Sequence, residues 1–239
     1  MSELIYSIWL QCKLDVRNKN VLISYYILPL VFFLVMGSVF SKIDPLSKEK
    51  LVQSMSILAI SMAAFLGTPV TLVEFFSSDT KKTYKVGNIH LWLILLTTFI
   101  SALIHMMIVS IIIYIAAPII FNATTPRNPG MYFVLLILVI SVCTIIGMSI
   151  GLIAKNNTTM TLYSQMAFLP SMLIGGIMFP IEMLPDILGN ISKIIPATHA
   201  IKILTSLDNM SLTMIMPLII IGTVAAIILF ISYRKIQID

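Results

Sequence analysis

A bundle of membrane-crossing α-helices is the fold class this sequence predicts, and three observations predict it. Six apolar stretches, each long enough to cross a bilayer, take up most of the 239 residues. The composition is 59% hydrophobic and 10% charged, with a mean hydropathy of +1.03, which leaves too little polar surface to coat a soluble globule. The polar connections between the stretches carry Lys and Arg with a bias towards alternate sides.

A spanning helix needs about 20 mostly apolar residues, because each residue rises about 1.5 Å through about 30 Å of hydrocarbon. The apolar runs fall near 21–40, 51–73, 91–121, 131–154, 160–179 and 213–232, giving one all-α transmembrane domain over 1–239. Helices are favoured because the bilayer core offers no water and each crossing must satisfy its own backbone. Transmembrane strands would show short alternating segments instead of solid runs. The third run exceeds one crossing, so it is expected to tilt, run past the membrane surface or end early near Pro118.

Net charge is +5, and its placement at membrane edges points away from a nucleic-acid partner. Lys13, Arg17, Lys19, Lys81, Lys82, Lys85, Lys155, Arg234 and Lys235 fall on one side, against Lys42, Lys48, Lys50, Arg127, Lys193 and Lys202 on the other. By the positive-inside rule this multi-pass protein of the cell membrane has both termini in the cytoplasm. The first run is followed by no small-residue cleavage site and reads as a retained anchor, not a signal peptide. Cys12 in the lead-in and Cys143 in mid-span form no disulfide on this reading and serve as packing residues.

Ahead of the first span, residues 2–20 carry Leu4, Ile5, Ile8, Trp9, Cys12 and Val16 at roughly helical spacing. Such a helix is expected to lie along the inner surface, with Trp9 at the interface and its basic residues among anionic head groups. Leu10 and Leu14 interrupt its polar face. Residues 74–90 form the longest polar segment on the cytoplasmic side, and their aromatics and mixed charges suit a docking surface as well as a solvated hairpin. After Pro170 and Gly175-Gly176, the fifth run ends at Phe179-Pro180. Ile187, Leu188, Ile191, Ile194 and Ile195 then make the stripe of a short helix, with Pro185 in its first turn and Pro196 closing it. About a dozen residues cannot span, so this helix is expected to re-enter the outer leaflet or lie on it, as a gate or as a plain surface helix. Ala59, Ala63 and Gly67 in the second span, and Gly147 and Gly151 in the fourth, recur at every fourth position and permit close helix contact, within the chain or between copies.

Several chemistries are missing. There is no Gly-x-x-x-x-Gly-Lys-Ser/Thr phosphate loop, so ATP hydrolysis on this chain is not expected. His90, His105 and His199 lack metal-ligand spacing. His105 is the clearest ionisable residue inside a span and is expected to be neutral and bonded to a neighbouring helix, with a polar contact in a cargo path as the sharper reading. Ser101 and His105 share a helix face without an intramembrane protease motif, and the sixteen methionines read as fillers. No catalytic residue, metal or cofactor is assigned to this chain.

Gly175-Gly176-Ile177-Met178-Phe179-Pro180-Ile181-Glu182-Met183-Leu184-Pro185, followed by Ile194-Ile195-Pro196-Ala197-Thr198-His199-Ala200, resembles the membrane subunits of ABC transporters of the type-2 exporter class. In that family a similar Gly-x-x-x-Pro-x-x-x-x-Pro pattern and a later Pro-x-x-x-Ala lie in re-entrant helices before the last span. The resemblance implies six transmembrane helices, an N-terminal interfacial helix, a cytoplasmic coupling helix after the second span and a re-entrant element containing Gly175, Gly176, Pro180, Glu182, Pro185, Pro196 and His199. It implies that Glu74, Lys81, Lys82, Tyr84, Lys85 and Asn88 contact a separate ATP-binding cassette subunit, which carries the ATP and Mg, and that the permease pairs with a second copy or a related permease. Of the family's Glu-x-Glu-x-Gly-Thr pattern this chain keeps Glu74, while the second acidic residue and Gly-Thr are missing and Gly87 comes later. The implied function is ATP-driven export of a hydrophobic or amphipathic cargo such as a drug, peptide antibiotic or lipid-like molecule. The rival readings are a non-transporting scaffold of a membrane complex and an ion-coupled secondary carrier.

Overall fold

The structure is a computed structural model that describes residues 2–43, 45–77, 90–179, 181–207 and 211–238. Among the described residues it is helical, without strands. Helix α1 (Ser2–Arg17) turns at Asn18 into the short α2 (Lys19–Leu22), a wide π-turn (Ile23–Ile27) and α3 (Leu28–Ile43). The next membrane helix is α4 (Pro45–Met62), a second π-turn (Ala63–Gly67) and α5 (Thr68–Ser77). Then come α6 (Trp92–Phe121), α7 (Pro129–Ile153), α8 (Asn157–Ile174), a 3-10 turn (Ile181–Met183), α9 (Asp186–Ser192), α10 (Pro196–Thr205) and α11 (Leu212–Ile238).

Among the described residues, five stretches are long and apolar enough to cross a membrane: Lys19–Lys42, Lys48–Phe76, Trp92–Phe121, Pro129–Ile153 and Leu212–Ile236. The fifth apolar run of the sequence becomes α8, which starts and ends earlier than 160–179 and is not among the five. Asn157, Thr158, Thr159 and Gln165 dilute its apolar content. Helix α6 continues through Pro118 to Phe121, so the long third run is one helix rather than one cut short. It stops where Asn122 takes a left-handed φ of 51°, a conformation Asn tolerates better than most residues.

The second membrane helix is the axis of the bundle. Its spanning window is 89% buried, against 11% for the last helix. Small residues bring it against α7: a Cβ on Gly147 would strike the Ala64 carbonyl, and one on Gly151 would sit 3.0 Å from Leu72 Cβ. Gly147 and Gly151 therefore pack two spans of the same chain together. Gly67 serves another contact, since a Cβ there would enter the Tyr25 ring. Polar side chains complete the packing, with the Tyr132 hydroxyl donating to Ser56 Oγ at 2.9 Å and Ser149 Oγ donating to the Ala225 carbonyl at 3.2 Å. Such bonds hold helices together where no water competes.

One sequence expectation is corrected. Helix α9 ends at Ser192, and Pro196 opens α10 instead of closing the preceding helix. Proline fits this place because the first helical residue needs no N–H partner and its φ is already helical. Helix α1 runs over Ser2–Arg17 with Gln11 and Asp15 buried, while Ile5, Trp9, Leu10, Leu14 and Val16 are exposed. An apolar face turned outwards suits a helix surrounded by lipid.

The contact between the second membrane helix and α7 yields the first prediction. Gly147→Ala pushes a methyl into the Ala64 carbonyl and is expected to destabilise the protein by about 1–3 kcal/mol. Thermal unfolding in detergent checks this, with Gly130→Ala as the control because Asn128 Oδ1 lies at an ordinary 3.6 Å from the added carbon.

Candidate functional site

The densest buried polar cluster lies where α1 and α2 meet the second and third membrane helices. Asp15 is 3% exposed. Ser101 Oγ on α6 donates to its Oδ2 at 2.5 Å, while Gln11 Nε2 at 2.9 Å and Thr71 Oγ1 of α5 at 3.3 Å donate to Oδ1. One carboxyl group thus joins three helices. Burial pushes this carboxyl above its ordinary value of 3.8, and the bonds from Ser101, Gln11 and Thr71 oppose the shift.

The chain bend beside Asp15 adds a second link. Asn18 caps α2, its Oδ1 accepting from the N–H groups of Asn20 and Val21. Its Nδ2 donates to Glu74 Oε2 at 2.6 Å. Asp15 and Asn18 therefore hold α5 at Thr71 and Glu74, one helical turn apart on one side of the helix. A cavity of about 440 Å³ borders this junction, lined by Gln11, Asp15, Arg17, Thr71 and Glu74 among others.

Deeper in the bundle the two π-turns meet. The Tyr25 hydroxyl is 3.2 Å from Thr68 Oγ1, and the Tyr26 hydroxyl is 2.5 Å from His105 Nδ1. The His105 ring is flanked by Tyr25, with ring centres 5.6 Å apart, and meets Tyr26 edge-on. His105 is bonded to a neighbouring helix, as the sequence predicts. π-Turns of this kind interrupt the regular ladder and recur at functional sites.

Of the residues expected to couple to an ATPase, Glu74 sits at the end of α5, exposed and bonded to Asn18. Lys81, Lys82, Tyr84, Lys85 and Asn88 lie outside the described residues. Of the expected gate residues, Gly175 follows the end of α8, where a Cβ would strike the Ser171 carbonyl. Gly176 has φ +80°, a conformation that favours glycine. Pro185 precedes α9, Pro196 begins α10, and His199 Nε2 donates to the Lys193 carbonyl at 2.7 Å. Gly175 faces Ala197 and Gly176 faces Ile201, so the end of α8 is folded back onto α10. Pro180 and the side chain of Glu182 lie outside the described residues.

The comparison with known families decides the class. The profile of the ABC-2 type transporter family matches residues 2–208. The chain belongs to the ABC-2 type transporter family. The match begins at α1 and ends beyond α10, so the polar junction and the folded-back turn both lie inside the family's domain. No curated protein matches the sequence. An ABC-2 chain of this kind is a membrane protein and the permease subunit of an ABC transporter, and members of the family normally work with an ATP-binding subunit.

Sequence reading missed Asp15, Gln11, Asn18, Thr71 and Ser101. The available signal was the i, i+4 pair Gln11 and Asp15 on a helix whose remaining faces carry Leu, Ile and Trp. Replacing Asp15 by Ala leaves buried donors on Gln11, Thr71 and Ser101 unpaired and is expected to lower stability by about 1–3 kcal/mol. Because the native carboxyl is raised, its favourable contribution is complete below the ordinary value of 3.8 and is lost as pH rises through the native value. Thermal unfolding across pH 4–9 is thus expected to fall with rising pH in the wild type and to lose that component in Asp15→Asn.

Proposed function

We propose that this permease exports a hydrophobic or amphipathic cargo across the cell membrane, driven by ATP hydrolysed on a separate cassette subunit. In this reading α8 is the sixth crossing, both termini are cytoplasmic, and residues 74–88 contact the ATPase. The element from 178 to 196 opens and closes the outer end. A second copy or a related permease completes the path.

The observation that carries the coupling assignment is the double grip on α5. Thr71 bonds Asp15 and Glu74 bonds Asn18, immediately before the segment assigned to the ATPase. A displacement of that segment pulls on α1 and, through Ser101, on α6. Nucleotide on the partner drives the change only by binding one cytoplasmic arrangement more tightly than the other. The face of α8 supports a paired permease, because Thr161, Tyr163 and Gln165 are exposed on a helix that would otherwise meet lipid.

An ion-coupled carrier needs a titratable group free to take up and release its ion inside a path. Both oxygens of Asp15 are already bonded to protein. A scaffold role is separated from transport by the partner's activity. Co-expression with the ATP-binding subunit is expected to yield a complex whose ATPase activity depends on the permease. Changing Lys81, Lys82 and Lys85 together to Glu is expected to abolish co-purification; retained association and undiminished ATPase activity would remove the coupling assignment.

A further inference from the structure

The end of the bundle opposite the Asp15 junction holds a cavity of about 170 Å³ beside the element assigned above to the gate. Lys50 of α4 and Lys202 of α10 both line it, and its walls include Phe40, Ile177, Phe179 and Ile201. Both lysines are exposed, and among the described residues no acidic side chain lines the cavity. Lys50 lies two residues inside the start of the second spanning stretch, and Phe40 two residues inside the end of the first. The cavity therefore sits at the depth where acyl chains give way to head groups. Its floor is closed by the turn at Gly176, where φ is +80° and a Cβ would press on Ile181 and Ile201 at 3.1–3.2 Å.

Size and charge together select the occupant. About 170 Å³ is close to the roughly 150 Å³ void that holds one benzene ring, and well below the roughly 300 Å³ at which drug-sized pockets begin. The space takes one small group and not a whole cargo. Two ammonium groups with no carboxylate among the described lining residues favour a phosphate, and the apolar walls favour one carried on a lipid. We propose that Lys50 and Lys202 bind the head-group phosphate of an anionic phospholipid from the leaflet surrounding this end of the bundle. Its acyl chains run down past Phe40 and Phe179, and the lipid joins α4 to the folded-back segment through α10. The site depends neither on the direction of transport nor on the ATPase.

The test is native mass spectrometry of the full-length protein in a non-ionic detergent, titrated with phosphatidylglycerol, phosphatidylcholine or inorganic phosphate. Two lysines near a phosphate are expected to make the protein retain phosphatidylglycerol at about tenfold lower concentration than phosphatidylcholine. The double variant Lys50→Gln with Lys202→Gln is expected to lose that preference, and each single variant part of it. The pair Lys19→Gln with Lys155→Gln, at the other end of the bundle, keeps it. Thermal unfolding confirms that the variants are folded. Undiminished preference in the double variant overturns the proposal, as does equal loss in the control pair, which marks diffuse attraction. Displacement of the lipid by millimolar phosphate also overturns it, because the site then belongs to the free anion.

Discussion

Burial of the second membrane helix is the constraint on which the rest of this structure depends. A helix enclosed by its neighbours cannot pass its buried polar groups to water or to head groups, and several of its polar side chains bond to other parts of the chain. Ser56 accepts from Tyr132, Thr68 meets Tyr25, Thr71 bonds Asp15 and Glu74 bonds Asn18. These bonds run along the helix and reach three other parts of the chain: α7, the first π-turn and the α1–α2 bend. Where the second helix meets α7, glycine removes the side chain, and the backbones come closer than any larger residue allows. A helix fixed in this way is tied to its neighbours along its length.

How much of this was legible in the sequence varies with what the signal measures. Solid apolar runs report length and hydropathy, so the crossings at 21–40, 51–73, 91–121, 131–154 and 213–232 all appear within a few residues of their predicted places. Periodicity reports that a helix has two faces, without saying which one touches protein. Helix α1 shows the consequence: Trp9 and Val16 face outwards, while Gln11 and Asp15 supply the bonds to the bundle. In water the same helix would turn the other way. Asp15 stayed hidden because it sits between Lys13 and Arg17 and reads as one more interfacial charge. Pro196 misled for a different reason. The Ile194–Ile195 pair prolongs the stripe of α9 by spacing, but the chain turns before it and the proline starts afresh.

Helices α8 and α11 show why composition alone cannot separate surfaces. Helix α11 exposes Ile219, Ile220, Val224, Ile227 and Phe230, and its exposed Thr223 gives its hydroxyl to the Ile220 carbonyl. A surface like this is satisfied by acyl chains. Helix α8 exposes Leu162, Met166 and Leu169 together with Gln165, whose amide has two donors that its own helix does not take up. Setting an unpaired amide in hydrocarbon costs about 4–8 kcal/mol on the scale where nothing can hydrogen-bond. The helix itself is regular and well started, with Asn156 and Thr159 capping each other. Its polar content is therefore not a failure to form a helix. Thr161 and Gln165 line a pocket together with Asn20 and Glu74, whereas α11 is exposed through apolar side chains.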